Sequence, residues 1–276
     1  MKKILATLLL LNIFCAFRSE AQTLTATYIQ YVDSADQYIS RKKWDDAERV
    51  IIKALRHEPA NKSNFLLWSN LGIVRENKGD YEGAVEAYTI GLATAPNSTV
   101  LLTNRARSNL SLGRTDDAYE DLDKALGLDE KLQWPLKMRG IILASKKEKG
   151  KALSDFAKYT ELYGDDAAIL ETKGDIYVSD GKSGEALEAY RKAYGIEPDE
   201  ALLGKLVMTA YSFGKIDDVE KDLEAGIKKY PRSAVLYLAR ALLNKSRYQT
   251  DAYESDLKTA ERFGIDPELI RQLIKK

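Results

Sequence analysis

Residues 65–98 read FLLWSNLGIVRENKGDYEGAVEAYTIGLATAPNS. On each side of Gly79 the apolar side chains recur at three- and four-residue intervals, the spacing of an amphipathic helix. Gly79 tolerates the backbone angles that follow a helix end, and Pro96 punctuates the end of the second helix. The stretch predicts two helices joined by a tight turn. Gly72 in the first helix and Ala84 in the second are small residues placed where the pair would cross, so the backbones can approach closely.

The same arrangement returns along the chain. Ala84, Ala118, Ala152 and Ala186 are each 34 apart, as are Gly72, Ala106, Gly140 and Gly174, and again Gly91, Ala125, Tyr159 and Ala193. Three columns sharing one period mark an internal repeat. Gly113, Gly181 and Gly214 repeat the turn, and Pro59, Pro198 and Pro231 repeat the helix-ending proline. One helix pair cannot bury its apolar face alone, so such units are expected to stack into a continuous core.

Trp68, Leu71, Gly72, Gly79, Tyr81, Ala84, Tyr88 and Pro96 fall on the signature columns of the tetratricopeptide repeat family. Leu170, Gly174, Tyr177, Gly181, Ala186, Tyr190, Ala193 and Pro198 do so again. The chain resembles that family over nearly all of residues 28–276, in seven repeats at 28–61, 65–98, 99–132, 133–166, 167–199, 200–233 and 234–267. Lys62 to Asn64 form an insertion, and the fifth repeat is one residue short. The resemblance implies an all-α fold, a right-handed superhelical solenoid with a groove lined by the first helix of each repeat. Tyr31, Tyr38, Tyr88, Tyr177, Tyr190 and Tyr211 lie on helix-contact columns and are expected in the core.

Two repeats depart from the pattern. The fourth opens with Trp134-Pro135 and carries Lys146-Lys147-Glu148-Lys149-Gly150 in place of the turn glycine; the seventh has Arg247-Tyr248 there. A terminal repeat is expected to be atypical. Asp266-Pro267-Glu268 reads as an N-cap followed by proline at the first helical position. Leu269, Ile270, Leu273 and Ile274 give the helix after it, within 268–276, an apolar face fit to cap the stack.

The first 21 residues are different material. Lys2 and Lys3 precede an apolar stretch from Ile4 to Phe17, and Ser19 and Ala21 suit a signal-peptidase cut before Gln22. The run is short for a transmembrane helix, which needs about 20 apolar residues. The only cysteine, Cys15, follows Phe14, a poor fit to a bacterial lipoprotein anchor. The expectation is a leader at 1–21, a short segment at 22–27, and a mature chain that is periplasmic or secreted. That chain would have no disulfide and no later membrane span.

Lys+Arg and Asp+Glu are both 42, and loss of the leader leaves the chain close to neutral. A nucleic-acid binder normally shows a basic excess, so no nucleic-acid partner is expected. Asp45-Asp46, Asp116-Asp117 and Asp217-Asp218 share the same columns at the start of a second helix, where carboxylates offset the helix dipole. Asp165-Asp166 likewise precedes a helix. His57 has no accompanying His or Cys for a metal site, no nucleophile and acid for a triad, and reads as a solvated helix-end residue. No phosphate loop or dinucleotide turn is present. The basic run Lys146 to Lys151 reads as a solvated turn. Neither a catalytic group, a metal nor a cofactor is indicated.

What remains is the groove that the resemblance implies. Its columns supply Asn70, Glu76, Asn104, Arg107, Trp134, Lys137, Glu171 and Asp175. Leu102-Thr103-Asn104-Arg105-Ala106 is similar to the repeats of co-chaperones that grip a peptide's C-terminal carboxylate, in which an Asn at this column contacts the peptide backbone. The rest of that clamp is not matched: Ser69 and Ile73 stand where Lys and Asn would be needed, and Trp134 and Met138 where two basic residues would be needed. Trp134 is either a groove aromatic or packs on the preceding repeat. The expected function is a non-catalytic scaffold holding a peptide or protein partner. The alternative is a glycan- or small-molecule-binding helical module of the bacterial envelope.

Overall fold

The computed structural model describes residues 25–274, which contain helices and turns and no strand. The proposed leader, its cleavage point and Cys15 lie outside the described residues. The chain divides into two compact units, Met1–Glu130 and Lys131–Lys276. The first unit holds α1 (Ala26–Ser40), α2 (Trp44–His57), α3 (Asn64–Asn77), α4 (Tyr81–Thr94), α5 (Thr99–Ser111) and α6 (Thr115–Leu128). The second holds α7 (Gln133–Ser145), α8 (Lys149–Tyr163), α9 (Ala167–Ser179), α10 (Ser183–Ile196) and α11 (Glu200–Ser212), then a 3₁₀ turn (Ile216–Val219). α12 (Glu220–Lys229), α13 (Ala234–Ser246), α14 (Thr250–Arg262) and α15 (Pro267–Ile274) complete it.

The helices pair within each repeat because small residues leave room for large ones. A Cβ on Gly72 would come within 2.3 Å of the Tyr88 ring; on Gly140, within 2.5 Å of Phe156; on Gly174, within 2.4 Å of Tyr190. Tyr88, Phe156 and Tyr190 are buried. Burying a side chain such as Phe156 stabilises the fold by roughly 1.5–3 kcal/mol relative to exposure. Tyr31, Tyr38, Tyr177 and Tyr211 are half-buried. In the first unit Ala35, Ile51, Ala54, Leu71 and Val74 share one core cluster. In the second, Leu203, Leu206, Val207, Leu236 and Leu242 do, and α15 adds Ile270 to them. The expected cap is there, opened by Asp266 Oδ1, which accepts from Glu268 N at 2.8 Å.

The turn column adopts positive φ in every repeat, with or without glycine: Gly79, Gly113, Gly181 and Gly214, but also Lys42 (55°), Lys147 (62°) and Tyr248 (59°). The three repeats that lack the glycine therefore keep the turn and carry its strain. The sixth repeat departs differently. Its second helix opens as the 3₁₀ turn, whose three-residue period turns both Ile216 and Val219 inward and leaves Asp217 and Asp218 outside. The inserted Asn64 is the first residue of α3. It is buried, donating Nδ2 to Glu58 O at 2.7 Å and accepting from the Tyr28 hydroxyl at 2.9 Å.

Within each unit, long charged side chains clip consecutive repeats together. Lys78 binds Asp45 at 2.7 Å and Glu48 at 2.8 Å. Arg247 binds Asp217 at 2.7 Å and Glu220 at 2.5 Å. The polarity reverses where Lys149 meets Asp180. Asp45 and Asp217, expected only to offset helix dipoles, thus also join consecutive repeats. Within repeats, Arg105–Asp121, Arg139–Asp155 and Arg240–Asp256 form two-point ion pairs at one shared pair of columns, each sixteen residues apart.

Candidate peptide-binding groove

The first helices of consecutive repeats lie side by side within each unit: α3 against α5 in the first, α7 against α9 and α11 against α13 in the second. Four of the expected groove residues stand in the first unit. Asn70 on α3 is half-buried. Glu76 Oε1, also on α3, accepts from Ser108 Oγ on α5 at 2.6 Å. Asn104 on α5 is buried, and its Oδ1 takes a long 3.5 Å bond from Nη1 of the exposed Arg107 one turn on. Beneath them, burial and the Glu76 carboxylate push the Tyr88 phenol well above its ordinary range.

The other four stand in the second unit. Trp134 is half-buried near the start of α7. Lys137 Nζ lies 2.7 Å from Asp166, which also caps α9 by accepting from Ile169 N at 3.1 Å. Against the cost of burial, those donors hold the Asp166 carboxyl below the usual range. Glu171 and Asp175 on α9 converge on one ammonium, Lys205 of α11, at 2.7 and 3.2 Å. Asp175 also accepts from the Tyr190 hydroxyl at 2.6 Å. Burial lowers the Lys205 pKa, but the two carboxylates more than offset that and keep it raised. The expected groove charges of the second unit are therefore answered within it: Lys137 by Asp166, and Glu171 and Asp175 by Lys205.

The column holding Trp134 carries exposed apolar side chains in other repeats. Leu66 on α3 is 56% exposed and Val100 on α5 is 60% exposed. They are 34 apart, so the period that located Asn70 and Asn104 locates them as well. Reading the groove for polar groups alone passes over them. Val235 on α13 occupies the same column, 38% exposed.

His57 is exposed, as expected, but it has a partner. Its Nε2 is 2.9 Å from Thr25 Oγ1, and Glu58 Oε1 accepts from Thr25 N at 2.8 Å, so the end of α2 ties down the start of α1. Among the described residues no group of three or more His, Cys, Asp or Glu side chains could hold a metal ion. No helix there is long and apolar enough to cross a membrane.

Comparison with known proteins agrees with this geometry. Tetratricopeptide repeat models match residues 32–99, 69–132 and 167–200. The chain is 26% identical over 216 residues to small glutamine-rich tetratricopeptide repeat-containing protein 2 of Saccharomyces cerevisiae, covering 78% of this chain and 48% of that one. It is 27% identical over 211 residues to the Hsp70-Hsp90 organizing protein of Triticum aestivum, covering 72% of this chain and 35% of that one. The chain thus spans less than half the length of these curated relatives. A tetratricopeptide repeat protein from Parabacteroides merdae shares the fold, with a TM-score of 0.64 at 24% identity over 91% of this chain and 98% of that one. Helix pairing, turn column, family models and structural likeness agree that this chain belongs to the tetratricopeptide repeat family.

Proposed function

We propose that the chain is a non-catalytic protein-interaction scaffold whose first-helix face holds a peptide or protein partner. The observation that carries this is the pairing of Leu66 and Val100 on adjacent helices, both more than half exposed, in the same unit as Asn70, Asn104 and Arg107. Apolar side chains left in water beside amide and guanidinium groups offer a peptide both burial and hydrogen bonds. The wheat relative's name describes a protein that organizes other proteins, which supports a protein partner. We read the chain as exported and cut before Gln22; N-terminal sequencing from the native host tests that, and an intact Met1 would overturn it.

The experiment is to identify a partner by pull-down and titrate it against wild type, Asn104→Ala and Arg107→Ala at low and high salt. A hydrogen bond to a charged group is worth about 1.5–3 kcal/mol, so Arg107→Ala should weaken binding by roughly tenfold or more. Part of that loss should vanish at high salt, since exposed charges are screened. Wild-type affinity in both variants, or capture of a sugar on a glycan array in place of a protein, would overturn the reading.

A further inference from the structure

Ser98 and Ser233 stand at equivalent places in their repeats, each the N-cap of a first helix, with the same backbone angles, φ −73° and ψ 105°. Ser98 Oγ caps α5 by accepting from Leu101 N at 3.3 Å. Ser233 makes no such bond to α13; it is 2% exposed and its Oγ has no hydrogen-bond partner. A buried hydroxyl without a partner keeps its full desolvation cost, so α13 starts less well capped than α5.

Ser233 lines a cavity of about 640 Å³ between α11 and α13, with Ala201, Gly204, Lys205, Met208 and Val235. The sixth repeat is small at two columns that line the cavity. Ala201 takes the column of Leu66, Val100 and Trp134, and Gly204 the column of Lys137 and Glu171. A Cβ on Gly204 would already stand 3.3 Å from Val235 Cγ1. The walls are apolar and the rim is acidic. Asp199 and Glu200 stand at one edge, and Lys205 is shared by Glu171 and Asp175, two carboxylates against one ammonium.

We infer that this cavity is a subsite for a partner segment in which an apolar side chain is flanked by lysine or arginine. The apolar group seats against Ala201, Met208 and Val235, and the basic neighbours face Asp199, Glu200 and the Glu171–Asp175 pair. Apolar pockets with a few placed polar groups are the usual form of a specific site, and charge complementarity fixes which segments enter. The inference rests on reading the first-helix face as the binding surface.

The test uses the full chain and two fluorescein-labelled peptides, Lys-Leu-Lys-Phe-Lys and Glu-Leu-Glu-Phe-Glu, followed by anisotropy. The basic peptide should bind at least about tenfold tighter than the acidic one, with an affinity that falls as salt rises. Gly204→Leu, which fills the cavity, should weaken the basic peptide by roughly tenfold or more; Met208→Lys serves if that variant does not fold. Ser233→Ala should raise thermal stability, because it removes an unpaired buried hydroxyl, whereas Ser98→Ala should lose stability. Equal binding of both peptides, or wild-type affinity in the folded cavity variant, overturns the subsite. The groove reading is judged separately by Asn104→Ala and Arg107→Ala against the pulled-down partner, so either can fail alone.

Discussion

Arg105 holds Asp121 at two points, Nε to Oδ2 at 2.8 Å and Nη2 to Oδ1 at 2.7 Å, and spends its remaining fork on Thr89 Oγ1 at 3.0 Å. The Asp121 side chain is 6% exposed and that of Arg105 25%. One guanidinium thus joins α5 to α6 of its own repeat and to α4 of the preceding one. Removing one partner of a buried ion pair costs about 3–5 kcal/mol, while replacing both with apolar groups is often neutral. Asp121→Ala should fall near the lower end of that range, because Arg105 is partly wet. Arg105→Met with Asp121→Leu should recover most of the loss. Urea unfolding midpoints of the single and double variants decide it; a double variant no better than the single would mean the pair is not the relevant unit.

The Lys137–Asp166 pair makes stability depend on acid. The folded Asp166 pKa lies below its ordinary value, so the carboxylate contributes fully above the unfolded pKa, about 3.9. That contribution disappears as pH falls from there through the folded value. A melting-temperature profile from neutral pH downward should drop across this window in wild type. In Lys137→Met the profile should start lower and drop less. Parallel profiles would show that the pair contributes nothing.

How much was legible beforehand follows from what a period can encode. Gly72, Gly140 and Gly174 were assigned to helix crossings from spacing alone, and each lies against an aromatic ring of its own repeat. Spacing fixes a residue's place within a repeat. It does not say which long side chain of the next repeat arrives there. Asp45 and Asp217 were therefore read as dipole partners and missed as partners of Lys78 and Arg247. The Arg–Asp pairs could have been found, since sixteen-residue spacing recurs at the same columns in three repeats. Ser233 could not: it follows a proline by two residues and precedes Val and Leu as Ser98 does, yet Ser98 caps its helix and Ser233 does not.

Tyr248 gives a simple test of the turn column. It is 93% exposed with φ 59°, so it carries left-handed strain and little packing. The left-handed conformation costs a non-glycine residue roughly 1–2 kcal/mol, and glycine returns part of that as unfolded-state entropy. Tyr248→Gly should therefore stabilise the chain by up to about 1 kcal/mol, and Gly79→Ala should destabilise it by a similar amount. Thermal unfolding of both variants is the check. Loss of stability in Tyr248→Gly would mean that its ring packs in solution.

Gly174 ties packing to the groove. A Cβ there would stand 2.4 Å from Tyr190 Cε1, and Tyr190 cannot yield freely, since its hydroxyl donates to Asp175 at 2.6 Å. Asp175 in turn holds Lys205. Overpacking a filled crossing costs about 1–3 kcal/mol, so Gly174→Ala should lose that much while disturbing the α9–α11 ion pairs. Tyr190→Leu removes the obstructing ring and should cost about 2 kcal/mol or more by the cavity it leaves. If the ring contact causes the loss, the double variant will be more stable than the sum of the single changes implies, by about 0.5–3 kcal/mol. Denaturant titration of all four proteins measures that coupling. Strict additivity would place the sensitivity of Gly174 elsewhere and would detach it from the Asp175–Lys205 end of the groove.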